Sequence, residues 1–187
     1  MQNTRRINIG CGQDVRRGWD NLDSHHRPGI NIVWDLRKLP IKPIKDNTYD
    51  FIYCAYVLED FINPLPLLDE LVRITKPGGK IEIRVPNEFV WGSLQHQRPF
   101  NLTAFYNYAR GSNHYKCFKP GVKVKELKYI PVEFTDIQFY AYVYTRASVF
   151  ILNLLGRRIT DNTFIKFLFP IVNLKIILQK NRWGDEP

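Results

Sequence analysis

Apolar and polar positions alternate in short blocks through the first ninety residues. Ile7–Gly10 opens as an apolar strand. Trp19–Asp23 and Ile30–Asp35 are two further β-prone runs, each ending in an aspartate, and Tyr49–Tyr56 is a longer, nearly continuous apolar run. Continuous apolar strands belong to a sheet covered on both faces. The period then changes. Leu67, Leu68, Leu71, Val72 and Ile74 fall near helical spacing, so a helix is predicted over Leu65–Thr75, opened by Asn63-Pro64-Leu65-Pro66 and stopped by Lys76-Pro77-Gly78-Gly79. Lys80–Pro86 alternates strictly, as a strand does. Repeated β-then-α units specify a mostly parallel sheet flanked by helices, with right-handed crossovers. Only about seven residues separate Gly12 from the next strand, whereas a parallel crossover usually takes a dozen or more, so the first helix is expected to be a stub.

The second half is patterned less cleanly. Gln95–Tyr108 reads as a loop leading to a short helix, Lys123–Tyr144 as β-prone with alternation, Ala147–Leu155 and Thr163–Phe169 as helices, and Leu174–Lys180 as a last strand. The expectation is one domain over residues 1–187, with a ligand-binding core in residues 1–90 and substrate-side loops, helices and strands in residues 91–187. A chain of 187 residues with 44% hydrophobic and 14% aromatic content supports one such core.

Composition narrows the setting. Cys11, Cys54 and Cys117 are odd in number and widely spaced, which suggests neither a disulfide framework nor a zinc site and points to a reducing, cytoplasmic compartment. No ligand cluster for any metal is apparent. The N-terminus has no apolar core of a signal peptide, and Ser148–Gly156 and Phe167–Leu174 are far shorter than the ~20 residues of a membrane span. The net charge of +9 is uneven: residues 1–100 hold 14 Lys and Arg against 12 Asp and Glu, and residues 101–187 hold 13 against 6. Such asymmetry concerns partners rather than fold.

In an open α/β sheet, ligands lie beyond the carboxyl ends of the strands, and a glycine turn after the first strand lets backbone approach them closely. Gly10-Cys11-Gly12 occupies that place, although a Gly-x-Gly turn can also serve simple chain reversal. The strand-end aspartates carry the argument further. Asp23 can accept two hydrogen bonds from a ribose diol, and Asp35 can accept from an adenine amino group while Leu36 packs on the ring.

Taken in order, INIGCG, GWDNLD, VWDL, DNTYDFIYCAYVLEDF, LLDELVRITKPGG and IEIRVPN resemble the class I S-adenosylmethionine-dependent methyltransferases. They look most like the small type 11-like members associated with glycan or cell-surface biosynthesis. The resemblance covers residues 5–88 most strongly. It implies a Rossmann-like fold, S-adenosylmethionine as cofactor, and a set of contacts: Gly10, Cys11 and Gly12 beside the methionine part, Asp23 at the ribose, Asp35 and Leu36 at the adenine, and Ala55 and Tyr56 bordering the methyl donor. Three positions depart from the family pattern. Asn8 replaces a common acidic residue, Asp14 stands where many members have a third glycine, and Glu59-Asp60 replaces Glu-His.

His96 and Arg98, just after the predicted fifth strand, are candidates for the acceptor side. Imidazole titrates near neutrality and suits a base, while a guanidinium suits an anion clamp; an exposed polar loop is the plainer reading. Asp60 is the second candidate base. His25 and His26 read as a solvated pair. Lys116, Lys119, Lys123, Lys125 and Lys128, with Arg110, Tyr115 and Phe118, form a basic segment that suits an anionic acceptor, with Lys119 and Lys123 as substrate contacts; a solvated basic face is the competing reading. The apolar stretches around Phe150 and Phe167, with Arg157-Arg158 between them, could cover the sheet or press on a membrane.

The expected activity is methyl transfer from S-adenosylmethionine to an oxygen or nitrogen nucleophile on a small, anionic or lipid-linked glycan acceptor, in the cytoplasm or peripherally at a membrane, without a metal. The alternative is a non-catalytic cofactor-binding or RNA-binding protein on the same fold, with nucleic acid the less favoured partner.

Overall fold

A computed structural model describes residues 4–86, 96–110, 119, 121–131, 139–155 and 172–182. Its frame is a seven-stranded sheet built from β1 (Arg6–Ile9), β2 (Asp20–Asp23), β3 (Ile32–Val33), β4 (Tyr49–Ala55), β5 (Thr75–Pro86), β6 (Val122–Pro131) and β7 (Val172–Lys180). The spatial order is β3-β2-β1-β4-β5-β7-β6. The strands from β3 to β5 run parallel, and β7 is antiparallel to both of its neighbours. This is the Rossmann-like arrangement expected from the sequence, and the chain order reverses beside β1.

Period-two alternation sorts the strands into two faces. Register aligns Ile7 with Ile52 and Ile81, and Ile9 with Cys54 and Ile83, and all six are at most 1% exposed. Leu174, Ile176 and Leu178 of β7 continue this apolar face. Helix α1 (Leu65–Ile74) buries Leu67, Leu68, Leu71, Val72 and Ile74, and α2 (Leu102–Arg110) adds Leu102, Phe105, Tyr108 and Ala109 to the same core. Truncating a fully buried leucine such as Leu71 to alanine typically costs ~2–5 kcal/mol.

The other face is polar and aromatic. Arg6, Phe51, Tyr53, Glu82 and Arg84 share one groove on it with Arg16 and Trp19. The Arg16 guanidinium lies 3.6 Å from the Tyr53 ring centre, Arg6 and Arg16 both lie 5.1 Å from that of Trp19, and Trp19 meets Phe51 edge-on. The expected stub helix is absent: the three crossovers from β1 to β4 consist of turns without a helix. Arg16 and Trp19, in the first crossover, cover the sheet with side chains where a helix would otherwise lie.

Other boundaries shift. The chain passes from α1 directly into β5, so Lys76-Pro77-Gly78-Gly79 lies within the strand rather than ahead of it. The β-prone reading of Lys123–Tyr144 holds only to Pro131, because Phe139 begins helix α3 (Phe139–Leu155). The Asn153 side chain of α3 accepts from the Tyr129 N–H and donates to the Tyr129 carbonyl, both at 2.9 Å. One amide thus satisfies both backbone groups on the outer edge of β6, an edge that would otherwise invite pairing. The expected helix Thr163–Phe169, Arg157-Arg158, Phe167, and Tyr115, Lys116 and Phe118 of the basic segment lie outside the described residues.

Candidate cofactor and acceptor site

The glycine turn follows β1 at once. Gly10 and Gly12 both have left-handed φ, +63° and +51°, which a side chain would strain. A Cβ on Gly10 would stand 2.4 Å from Val57 Cγ2, whereas one on Gly12 would meet nothing within 4 Å. Gly10 is therefore demanded by packing, and Gly12 leaves open space. Asn8 is buried and donates from Nδ2 to the Asp14 carbonyl at 2.6 Å, so in this chain an amide on β1 holds the turn. Asp14 has no positive φ and pairs with Arg16, which accounts for a non-glycine residue at that position.

Asp23 at the end of β2 is tied to this turn. Its Oδ2 accepts the Gly12 N–H at 2.8 Å and its Oδ1 accepts the His25 N–H at 3.1 Å. Burial pushes the carboxyl upward, but these N–H donors and the charges of Arg27 and His25 outweigh it and hold Asp23 below its usual value. It is an ionised acceptor at neutral pH. Asp35 and Leu36 follow β3. Arg37 grips both Asp35 oxygens, Nε to Oδ1 at 3.0 Å and Nη2 to Oδ2 at 3.2 Å, and its side-chain bond is the main cause of the lowered Asp35 carboxyl.

A cavity of about 260 Å³ gathers Gly10, Asp23, Asp35 and Leu36 with Asp60, at the carboxyl ends of β1 to β3 and beside the turn that follows β4. Ser24, Trp34, Arg37 and Phe61 complete the lining. These four were not singled out from the sequence, although Trp34 and Arg37 flank Asp35-Leu36 directly and their position was the available signal. Cys11 is buried beneath the turn, and burial is the main cause raising its thiol. Gly12 touches the cavity through its bond to Asp23 rather than by lining it. Ala55 ends β4, and Tyr56 follows it at φ +58°, its hydroxyl accepting from Asn173 of β7 at 2.8 Å. These two stand at the strand end without lining the cavity.

The donor set suits S-adenosylmethionine. A half-buried ionised carboxylate can accept diol hydroxyls, Trp34 and Leu36 offer apolar surface to a base, and the absent Cβ at Gly12 leaves room for a close backbone approach. Among the described residues no group of His, Cys, Asp and Glu could hold a metal ion.

The acceptor-side candidates meet at a 3-10 turn, Leu58–Asp60. The Glu59 carbonyl accepts the Gln97 N–H at 2.6 Å and the Arg98 N–H at 3.3 Å, which hangs the loop after β5 on this turn. His96 is thereby brought near enough to Asp60 for its charge to act on the carboxyl, although burial dominates and raises Asp60. The Glu59 side chain is 2% exposed, its Oε2 has no partner among the described residues, and burial pushes its carboxyl up to about 8.

Lys119 and Lys123 are not brought to this place. Lys119 pairs with Asp69 of α1 at 3.1 Å. Lys123 aligns with Gln179, Lys80, Phe51 and Arg6, a row at the entry end of the parallel strands and so at the opposite end of the sheet from the cavity. Lys128 aligns with Lys175, Arg84 and Ala55, near the carboxyl ends. His25 is exposed, as the reading of a solvated pair expected.

Residues 5–125 match the Methyltransferase domain family. The demethylmenaquinone methyltransferase of Paenarthrobacter aurescens (strain TC1) is 32% identical over 76 residues, 40% of this chain; the match spans 28% of that protein's length. Among solved structures, a putative methyltransferase from Bacillus halodurans C-125 superposes with a TM-score of 0.60 at 12% identity, over 97% of this chain and 94% of the other. A SAM-dependent methyltransferase from Archaeoglobus fulgidus gives 0.53 at 15%, over 95% and 87%. A Haloferax volcanii structure described as a complex between the Trm112 methyltransferase activator and a putative methyltransferase gives 0.58 at 16%, over 97% and 86%. With the family match covering most of the chain, the glycine turn, the strand-end carboxylates and the sheet order have one common explanation: the chain belongs to the methyltransferase-domain family.

Proposed function

We propose that the protein transfers the methyl group of S-adenosylmethionine to an oxygen or nitrogen nucleophile on a small anionic acceptor, lipid-linked or a glycan. The observation that supports this reading is the loop hung on the Glu59 carbonyl through Gln97 and Arg98, which keeps His96 within electrostatic reach of Asp60, a lining residue of the cavity.

Bound S-adenosylmethionine supplies an activated methyl group on a positively charged sulfur. Asp23 would hold the ribose and Trp34 and Leu36 would pack on the base, with Gly10 and Asp60 lining the rest of the same cavity. The chain's further work is alignment and exclusion of water, the main sources of acceleration for such a displacement. A hydroxyl acceptor also gives up a proton, and Asp60 or His96 takes it. The burial that raises Asp60 makes it a better base than an exposed carboxylate. Among the described residues no helix is long and apolar enough to cross a membrane.

The test is methyl transfer from isotopically labelled S-adenosylmethionine into fractionated cell extract, with wild type compared with His96→Ala and Asp60→Asn. Label entering an anionic small-molecule or lipid fraction in a His96- or Asp60-dependent way is the expected result. Binding of S-adenosylhomocysteine with no transfer to any fraction would leave a cofactor-binding protein without catalysis.

A further inference from the structure

The strip Asp60–Leu65 separates two cavities. Asp60 and Phe61 line the cofactor cavity; Pro64 and Leu65 line a second one, of about 230 Å³, between α1 and α2. Leu68, Phe100, Ala104 and Phe105 make its walls, and Phe100 stacks on Phe105 with ring centres 5.4 Å apart, so the surface offered is largely hydrocarbon. Ile62, on the ridge between the two cavities, is 78% exposed. An isoleucine left so open beside an apolar hollow forfeits burial that an apolar ligand could restore.

Arg98 stands at the rim. Arg5, Arg16, Arg37, Arg73 and Arg84 are each engaged by a carboxylate. The Arg98 guanidinium instead donates to the Ile62 carbonyl at 3.4 Å, and no carboxylate pairs with it among the described residues. A guanidinium in this state, beside apolar walls, has donors available for a phosphate or carboxylate. Pockets of this make-up, mostly apolar with one placed charge, select amphiphiles.

We infer that the cavity between α1 and α2 takes the hydrocarbon chain of an anionic amphiphile, with Ile62 as the apolar ridge toward the cofactor cavity and Arg98 facing the anionic group. This rests on the methyltransferase reading above and narrows its acceptor class: the nucleophile would lie at the cofactor cavity, the negative charge at Arg98 and the chain beneath α2.

The test uses the full chain saturated with S-adenosylhomocysteine and titrated with decyl phosphate below its micelle concentration, with decanol and inorganic phosphate as controls. Decyl phosphate should bind at least tenfold more tightly than inorganic phosphate. Ala104→Trp, which fills the cavity from an exposed helix position, should weaken decyl phosphate at least tenfold while S-adenosylhomocysteine affinity stays unchanged; Ala104→Leu serves if the larger side chain unfolds the protein. Arg98→Gln should reduce decyl phosphate to the affinity of decanol. Phosphatidylglycerol vesicles form a second arm: capture of vesicles lost in Ala104→Trp assigns the chain to a membrane lipid, and binding of the monomer alone assigns it to a soluble amphiphile. Equal decyl phosphate binding by wild type and both filled variants, or inorganic phosphate binding as tightly as decyl phosphate, overturns the inference. A protein that binds S-adenosylhomocysteine but not decyl phosphate loses only this assignment, whereas failure to bind S-adenosylhomocysteine removes the methyltransferase reading itself.

Discussion

The backbone N–H of Gly12 donates to Asp23 Oδ2 at 2.8 Å, so the carboxylate at the end of β2 holds the glycine turn at the end of β1. The group proposed to bind the ribose thus also shapes the loop beside it. Asp23→Ala should weaken S-adenosylhomocysteine binding by ~1.5–3 kcal/mol through lost bonds to a charged acceptor. Releasing the Gly12 and His25 N–H groups should also cost about 1–2 kcal/mol of stability. Because the folded carboxyl sits below its ordinary value, its contribution to stability is present above that value and disappears as pH falls through the folded one. Calorimetric titration together with denaturant melts at pH 7 and pH 3 checks both effects, and Asp23→Ala binding as tightly as wild type would refute the ribose assignment.

The two glycines should separate in mutation. Gly10→Ala brings a methyl group within 2.4 Å of Val57 Cγ2 at a left-handed φ, whereas Gly12→Ala carries only the backbone penalty, ~1–2 kcal/mol. Gly10→Ala should therefore melt lower, and Gly12→Ala should chiefly lower cofactor affinity. Indistinguishable melting temperatures would show that Val57 yields freely.

Glu59 predicts an unusual slope of stability with pH. Its folded carboxyl is raised to about 8 from an ordinary 4.5, so across that interval the folded state keeps a proton that the unfolded state has lost, and stability falls as pH rises. Glu59→Gln, a neutral mimic of the protonated acid, should remove that slope and be more stable than wild type at pH 8.5 by roughly 2–4 kcal/mol. Parallel stability curves for the two proteins between pH 5 and pH 8.5 would contradict it.

His96→Ala and Arg98→Ala should leave S-adenosylhomocysteine affinity nearly intact, because neither lines the cofactor cavity. Both should lower turnover on an accepted substrate, His96→Ala by ~10²-fold or more if it is the base. Unchanged turnover in both variants would return the loop to an ordinary solvent-facing role.

Asn153→Ala should expose the outer edge of β6. Losing the amide that satisfies both backbone groups of Tyr129 should cost about 1–3 kcal/mol and speed hydrogen exchange at the Tyr129 N–H. An exchange rate equal to wild type would mean that water serves the edge equally well.

Much of the parallel half was legible because each signal was local. Apolar runs marked β1, β2, β4 and β5, and strand-end aspartates marked where a ligand cavity opens. What could not be read depended on contacts distant in sequence. Lys123 looked like part of a substrate patch, yet its level in the sheet is set by pairing with Gln179 of β7, and through β7 with Lys80, which no local pattern announces. The run Phe139–Tyr144, rich in aromatic and β-branched residues, has strand propensity that the tertiary setting overrides to start α3. The missing first helix shows the reverse: the short crossover was visible, but only the fold reveals that Arg16 and Trp19 lie over Tyr53 and Phe51 in its stead.

That cover of stacked cations and rings changes the thermal character expected of the fold. The heat capacity of unfolding grows with the hydrocarbon newly wetted and shrinks with the polar surface wetted alongside it. A sheet face roofed by Arg6, Arg16 and Arg84 over Trp19 and Tyr53 releases less hydrocarbon than one roofed by a packed helix. The free energy of unfolding should therefore trace a shallower dome against temperature than in a relative of equal length with a packed helix in the first crossover, changing less between the cold and warm limits of its range.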